Sequence, residues 1–505
     1  MSTADQNLFA HFHRQFAEHA DDELLATGDG TSFTYGDIDR MSARIAACLR
    51  DAGVGTGDRV SVQVEKSPQG LSLYLACLRA GFVFHPINPA YKARELEALL
   101  RHAEPAAVIC DPRKEPEAAE LAASVGARAV LTLNADGGGS LIERAAGASE
   151  RFATVPRSSD DPAALLYTSG TTGSPKGIVL SHGNLGSNAE ALTSAWGFTA
   201  QDRLLHALPI HHVHGLFISL GCVLSSGASM TWLPRFAAGD VLRHLPECTV
   251  MMGVPTYYTR LLAAPELTAE LVRGVRLFVS GSAPLLPETF AEFERRTGQP
   301  ILERYGMTET NVIASNPLHG PRKPGTVGVP LPGVDVRIVD ERGTALAAGE
   351  IGHIEVRGPN VFTGYWRRDA ADDFAADGFF KTGDLGVIDE DGYLAIVGRR
   401  KDLVITGGLN VYPRDVEAVI DALPGVVESA VIGVPHPDFG EGVVAVVVPE
   451  RGSVLSENEV IEACKARLAD YKVPKRIVLA DALPRNVMGK VQKNVLREAH
   501  ARLFV

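Results

Sequence analysis

Residues 168–177 read Thr-Ser-Gly-Thr-Thr-Gly-Ser-Pro-Lys-Gly, a run that concentrates hydroxyls, glycines and one lysine. The glycines let backbone amides approach an anion closely, while the hydroxyls and Lys176 add further donors. Such a loop suits the phosphates of a nucleotide. Its order is not that of a Walker A loop, where lysine follows glycine directly and Ser or Thr follows lysine. Here Ser174 and Pro175 separate Gly173 from Lys176, and Gly177 comes next. The apolar runs Ala163–Tyr167 and Gly177–Leu180 predict strands on both sides, unlike the strand-to-helix loop of ATPases and GTPases. Taken alone, the run also reads as an ordinary Gly/Ser turn.

The elements that must hold this loop alternate. A helix is expected over Tyr35–Leu49, a strand over Val60–Val64, a helix over Leu71–Ala80, and strands over Phe82–Pro86 and Ala107–Cys110. That alternation predicts an α/β domain with a largely parallel sheet. After about residue 325, short strands at Val334–Val339, His353–Arg357 and Tyr393–Val397 predict a β layer closing the large domain. A second change comes at Gly398–Asp402. Beyond it, helices at Arg414–Leu423 and Glu457–Leu468 and strands at Ala430–Val434 and Gly442–Pro449 predict a small α+β domain of about 100 residues. The expected division is 1–399 and 400–505.

Composition limits the function classes. The 505 residues are 45% hydrophobic and 22% charged, as in a globular protein with a large core. A net charge of −12 argues against nucleic acid as a partner, although local basic pockets can still bind small anions. Six scattered cysteines without CxxC spacing predict free thiols in a reducing compartment. The first residues fit neither a secretory nor a transit peptide. No run reaches the roughly 20 apolar residues that span a bilayer. A cytoplasmic enzyme without membrane contact is the expectation.

Further motifs follow the loop in order: Leu208–Gly215 (LPIHHVHG), Val279–Leu285 (VSGSAPL), Glu303–Thr310 (ERYGMTET), Thr382-Gly383-Asp384, Gly398–Asp402 (GRRKD), Gly407–Pro413 (GGLNVYP) and Pro484–Val491 (PRNVMGKV). Across essentially the whole chain this set resembles the adenylate-forming superfamily of acyl-CoA synthetases, which includes peptide-synthetase adenylation domains and firefly luciferase. The resemblance implies a large adenylation domain and a small mobile C-terminal one. It also implies a two-step reaction. A carboxylate attacks the α-phosphate of ATP to give acyl-AMP and pyrophosphate, and the thiol of coenzyme A then displaces AMP.

Roles follow residue by residue from the resemblance. Thr168, Ser169, Gly170, Thr171, Thr172, Gly173 and Lys176 would hold the β- and γ-phosphates. Thr308 would contact the α-phosphate, and Glu309 would coordinate Mg²⁺ as a hard oxygen ligand. Tyr305 would stack on adenine near Ser282 and Ala283, while Asp384 would accept from the ribose hydroxyls with Arg399 in support. Lys490 would be the catalytic lysine bridging carboxylate and α-phosphate. Lys401 sits at the hinge position. Gly407, Gly408 and Leu409 would line the path of the pantetheine arm once the small domain rotates. Because Lys490 acts through its charge, a lysine acetyltransferase is an expected partner that would silence it.

The acyl side is more discriminating. His212 is the histidine the family sets beside the acyl pocket, and His214 stands where aryl-acid ligases often carry tyrosine. Arg304 replaces the small residue those ligases place before Tyr-Gly-Met-Thr-Glu, and Arg235 interrupts an apolar stretch. Guanidinium groups make poor walls for a fatty chain and suit a second carboxylate. A small dicarboxylic acid is therefore expected. The strings Met252–Arg260, Glu303–Thr310, Gly358–Phe362 and Asp402–Gly408 resemble the malonyl-CoA synthetase branch, which implies malonate, with methylmalonate beside it. The alternatives are a ligase for another short, branched or aryl acid, a peptide-synthetase adenylation module, and a catalytically silent nucleotide-binding protein.

Overall fold

The computed structural model describes residues 5–168, 176–453, 455–486 and 489–504. The expected α/β alternation is present. The helix Tyr35–Asp51 begins at a capping box in which Thr34 and Asp37 satisfy each other's backbone amides. The strands Ala129–Thr132, Ala107–Cys110, Arg59–Gln63, Val83–Pro86, Pro162–Thr168 and Lys176–Ser181 form one sheet in that order. All neighbours in it are parallel except the last pair, which is antiparallel. The Thr168-to-Lys176 connection therefore joins two strands of a hairpin, as the flanking apolar runs predict.

A second sheet runs Val329–Pro330, Asn311–Ser315, Ile301–Met307, Leu277–Ser280, Val250–Gly253, Arg203–His206, Ser229–Trp232, Glu23–Thr27 and Ser32–Thr34. Its middle is parallel and its two ends are antiparallel. A shared apolar core that includes Trp196, Trp232, Tyr74 and Phe84 packs between the two sheets and their helices. The β layer expected after residue 325 is a four-stranded antiparallel sheet of Asp335–Val339, Gly352–Arg357, Phe380–Ile388 and Leu394–Arg399.

Beyond Arg399 a short helical turn, Arg400–Asp402, leads to a separate small sheet built on the long hairpin Val426–His436 and Gly440–Pro449. That sheet has its own core, with Val416 and Ile420 of the helix Pro413–Asp421 and Val460 of the helix Glu457–Lys465 among its members. All six cysteines are free and buried. Among the described residues no helix is long and apolar enough to cross a membrane.

Candidate active site

Four neighbouring parallel strands build the floor. Arg203–His206, Val250–Gly253, Leu277–Ser280 and Ile301–Met307 lie side by side, and their carboxyl ends open into residues 207–214, 254–257, 281–283 and 308–309. Open α/β sheets bind ligands at that edge. The strand Ile301–Met307 then turns back through Thr308, Glu309 and Thr310 into Asn311–Ser315. The turn needs Gly306, because a Cβ there would lie 1.7 Å from the Asn311 carbonyl oxygen. It holds Thr308 half-buried and Glu309 buried at the edge of the cleft.

On one side of the cleft the polar groups are paired. Tyr305 Oη donates to Asp384 Oδ2 at 2.5 Å, and Arg399 Nε lies 3.2 Å from Asp384 Oδ1. Asp384 and Arg399 are direct partners across neighbouring strands, so the sheet register sets this ion pair. Burial, followed by the Asp384 charge, raises the Tyr305 phenol well above its ordinary value and keeps it a donor. Lys490 arrives here from the small domain. Burial and then Arg399 bring its ammonium down to about 8, while Asp384 and Asp402 pull the other way. Its backbone amide donates to Asn486 Oδ1 at 2.9 Å, and Gly489 packs against Thr256 of the large domain.

Glu309 sits nearby with its carboxyl raised by burial and opposed by the Arg399 and Lys176 charges. Tyr365 Oη lies 3.4 Å from Glu309 Oε1, and Lys176 Nζ stands 5.4 Å over the Tyr365 ring. Glu309 makes no ion pair among the described residues, which leaves a buried, acceptor-only group of the kind that suits a hard cation. Thr168 faces Lys176 across the hairpin. Ser169, Gly170, Thr171, Thr172 and Gly173 lie outside the described residues.

The other side of the cleft is unpaired. Arg304 is 5% exposed, and neither Nε nor Nη2 has a hydrogen-bond partner among the described residues. Its guanidinium lies flat against Gly281, where a Cβ would come within 2.4 Å of Nε. Burial lowers Arg304 to about 10, so it stays cationic at neutral pH. Burial and then Arg304 bring His212 to about 4 and push His214 well below its ordinary value. Both imidazoles are neutral beside the guanidinium. His214 Nδ1 lies 3.3 Å from Ser282 Oγ, and its buried Nε2 is unpartnered. Ser282 holds φ at +71°, a left-handed conformation that a non-glycine residue adopts at a cost, next to Ala283. Arg235 is exposed and makes no hydrogen bond or ion pair among the described residues.

The glycine turn lies apart from this cleft, whereas Lys401 and Asp402 adjoin it, their charges acting on Lys490. Lys401 is exposed, and its neighbour Asp402 pairs with Arg497 of the last helix at 2.5 Å. Gly407 and Gly408 form the two-residue turn between Val404–Thr406 and Leu409–Val411. Leu409 is 49% exposed, so in this orientation the turn faces solvent while Lys490 occupies the cleft.

Comparison with known proteins places the whole arrangement. The family model described as AMP-binding enzyme matches residues 12–366, and that of its C-terminal domain matches 415–490. The chain belongs to the AMP-binding enzyme family. It is 33% identical to the malonate–CoA ligase of Arabidopsis thaliana, over 99% of this chain and 90% of that one. It is 37% identical to a feruloyl-CoA synthase of an Amycolatopsis species, over 93% and 94%. Among solved structures, ATP-bound MatB from Rhodopseudomonas palustris superposes with a TM-score of 0.97 at 52% identity, covering 99% and 100%. The apo form of MatB, at the same identity and coverage, gives 0.85.

In this AMP-binding enzyme the fold also recruits residues that no motif marks. Tyr365 stands between Lys176 and Glu309. Beneath the acyl side, buried Lys66 Nζ reaches His206 Nδ1 at 2.8 Å and the carbonyls of His206 and Leu233 at 2.7 and 2.6 Å. His206 Nε2 in turn meets the Gly215 carbonyl at 2.9 Å. That carbonyl lies in a wide helical turn, His214–Ser219, of the loose type often found at functional sites. The chain thereby fixes the segment that presents His214. Only the abrupt Glu65-Lys66 after an apolar strand could have signalled it in the sequence.

Proposed function

We propose that the protein joins malonate to coenzyme A at the expense of ATP, through malonyl-AMP, releasing AMP and pyrophosphate, with methylmalonate as a second substrate. The observation that carries this reading is Arg304. A buried cation with two unpartnered nitrogens is costly, and an acid whose far end is itself a carboxylate supplies the missing partner. Neutral His212 and His214 add polar contacts without a competing charge. Exposed Arg235 is assigned to the pocket mouth, meeting the acid on entry. The likeness to the Arabidopsis malonate–CoA ligase supports the same acid.

Adenylation then divides among named groups. Asp384 uses one lone pair on Tyr305 and another on Arg399, and a carboxylate has capacity left for two ribose hydroxyls. Tyr305, Ser282 and Ala283 flank the adenine. Lys176, with Thr168 and the loop between them, neutralises the outer phosphates, and Thr308 meets the α-phosphate. Glu309 would hold Mg²⁺, which supplies charge neutralisation on the phosphates when bound. Lys490 draws the attacking carboxylate and the α-phosphate oxygen together, so that two anions meet without repulsion. For the second step the small domain, residues 400–505, turns about Lys401. Lys490 withdraws, and Gly407, Gly408 and Leu409 line the approach of the thiol.

The test is ATP- and CoA-dependent AMP release with acetate, malonate, methylmalonate, succinate, octanoate and 4-coumarate. Malonate is expected to lead. A lead for 4-coumarate, the direction of the feruloyl-CoA synthase likeness, would keep the adenylation chemistry and discard the dicarboxylate pocket. Silence on every acid would overturn the enzyme reading. We also assign the protein to the cytoplasm, on its free thiols, although relatives include a mitochondrial malonate–CoA ligase of Xenopus laevis. Fractionation with compartment markers checks this. Lys490, with its lowered pKa, is a ready acceptor for an acetyl group. Full adenylation by protein acetylated at Lys490 would rule out that control.

A further inference from the structure

The small domain must be held in the orientation that puts Lys490 into the cleft, and Arg414 is placed to do this. Arg414 is the second residue of the helix Pro413–Asp421. A cation in a helix's first turn opposes the helix dipole. The neighbouring Asp415 has the favourable sign and is already paired with Lys472 at 2.5 Å. Arg414 therefore gains nothing from its own helix. Its side chain leaves the small domain instead, and Nη1 donates to the Ile396 carbonyl at 2.5 Å. Ile396 lies on the strand Leu394–Arg399, which ends in the ribose-side Arg399 and runs directly into the hinge.

The Arg414 charge also acts on Glu303, which is 7% exposed and precedes Arg304 and Tyr305 on the strand Ile301–Met307. Burial pushes the Glu303 carboxyl up to about 7. What opposes this is the Arg414 charge, followed by the amides of Gly325 and Leu285. Arg414 thus touches the strand Leu394–Arg399 and sets its charge toward the strand Ile301–Met307. Elsewhere the seam carries an ion pair, Arg400 to Glu341 at 3.0 Å, and a group of like charges. Asp421 is pushed up to about 7 by burial, with Glu417, Glu428 and the large domain's Glu288 adding to it and Ser429 working against it. Attraction at Arg414 and Arg400 set against like charges around Asp421 makes a seam able to close and to reopen.

We propose that Arg414 is the latch that docks the small domain for adenylation, donating to the Ile396 carbonyl of the large domain and letting go for thioester formation. The proposal rests on the two-step reading above. It makes Arg414 a positioning residue that acts through Lys490. The ATP-bound MatB likeness, at 0.97 against 0.85 for the apo form, supports assigning the present orientation to the adenylation state.

The experiment separates the half-reactions. Malonate-dependent exchange of pyrophosphate into ATP, without coenzyme A, reads adenylation, and CoA-dependent consumption of synthetic malonyl-AMP reads the second step. Arg414→Ala is expected to lower exchange about tenfold or more, as loss of a charge-assisted contact biases a two-state equilibrium. The second step should stay within about twofold of wild type, since the undocked state needs no latch. Arg414→Lys should recover part of the exchange, because a lysine reaches one acceptor and lacks the fork. Glu303→Gln should lower exchange by a smaller factor. Equal loss in both steps, or in neither, overturns the latch. If Arg414→Ala fails to fold, the lysine and glutamine variants are judged by the same split. Wild-type protein that exchanges with another acid and not with malonate would refute the substrate reading alone, and the latch is then tested with that acid.

Discussion

Asp384 has a partner on each oxygen before any ligand arrives, a hydrogen bond from Tyr305 on one and an ion pair with Arg399 on the other. On the adjoining edge, Arg304 buries two nitrogens and His211 and His214 each bury an Nε2, all without a partner among the described residues. The paired side is preorganised, and a ligand adds to lone pairs still free. The unpaired side bears its desolvation in the free enzyme and recovers it only with a ligand of opposite charge. Selection between acids should therefore come from the unpaired side. A fatty acid entering it would leave Arg304 buried without a partner, and sites built to bond a polar group reject analogues lacking it by on the order of 10⁴.

The largest expected effect separates the two sides by activity and stability together. Arg304→Met should cut kcat/KM for malonate by on the order of a hundredfold or more, while KM for ATP stays within about twofold. Its Tm should hold or rise, because an apolar chain of similar length replaces an unpartnered buried charge. Asp384→Ala should do the reverse. It leaves Tyr305 and Arg399 bare, lowers Tm, and weakens adenylation with every acid alike. Thermal melts beside substrate profiles of both variants decide it. An unchanged kcat/KM for malonate in Arg304→Met would erase the distinction.

Lys490 spans both sides, and its titration offers the next effect. Burial lowers its pKa to about 8, so in the free enzyme the ammonium is complete below that pH and is lost as pH rises through it. Since adenylation uses the charged form, kcat/KM for ATP should fall above about pH 8, approaching tenfold per unit. Bound phosphates favour the ammonium, so kcat should hold to higher pH than kcat/KM. A kcat/KM profile flat to pH 10 would remove Lys490 from the reacting centre.

Much of the fold could be read in the sequence because its elements are local. The strand Ala107–Cys110 falls where its apolar run predicts, and the helix expected over Tyr35–Leu49 ends two residues later, at Asp51. Motif strings likewise marked Tyr305, Asp384, Arg399 and Lys490, which the fold brings together. What stayed hidden depends on chain segments meeting at a distance. Lys66 and His206 are 140 residues apart, and neither has a local pattern that names the other. Tyr365 belongs to no motif, and only the fold brings its ring under Lys176. Nor does the sequence separate Arg235 from Arg304 by burial. One follows an edge-leading turn and is exposed, whereas the other sits inside a strand next to Gly281 and is buried.

The smallest effect tests how far the paired side is truly independent. Tyr305→Phe removes one neutral donor from Asp384 and leaves Arg399 and the carboxylate charge in place. The ring, assigned above to adenine, also remains. The expected loss is therefore about 1 kcal/mol, read as a rise of about fivefold in KM for ATP. The change should be the same whether malonate or methylmalonate is the acid, because Tyr305 points its hydroxyl away from Arg304 toward Asp384. If the malonate-to-methylmalonate ratio shifted with it, the two sides would be coupled through the strand they share, Ile301–Met307. Specificity would then belong to that strand as a whole and not to the guanidinium alone.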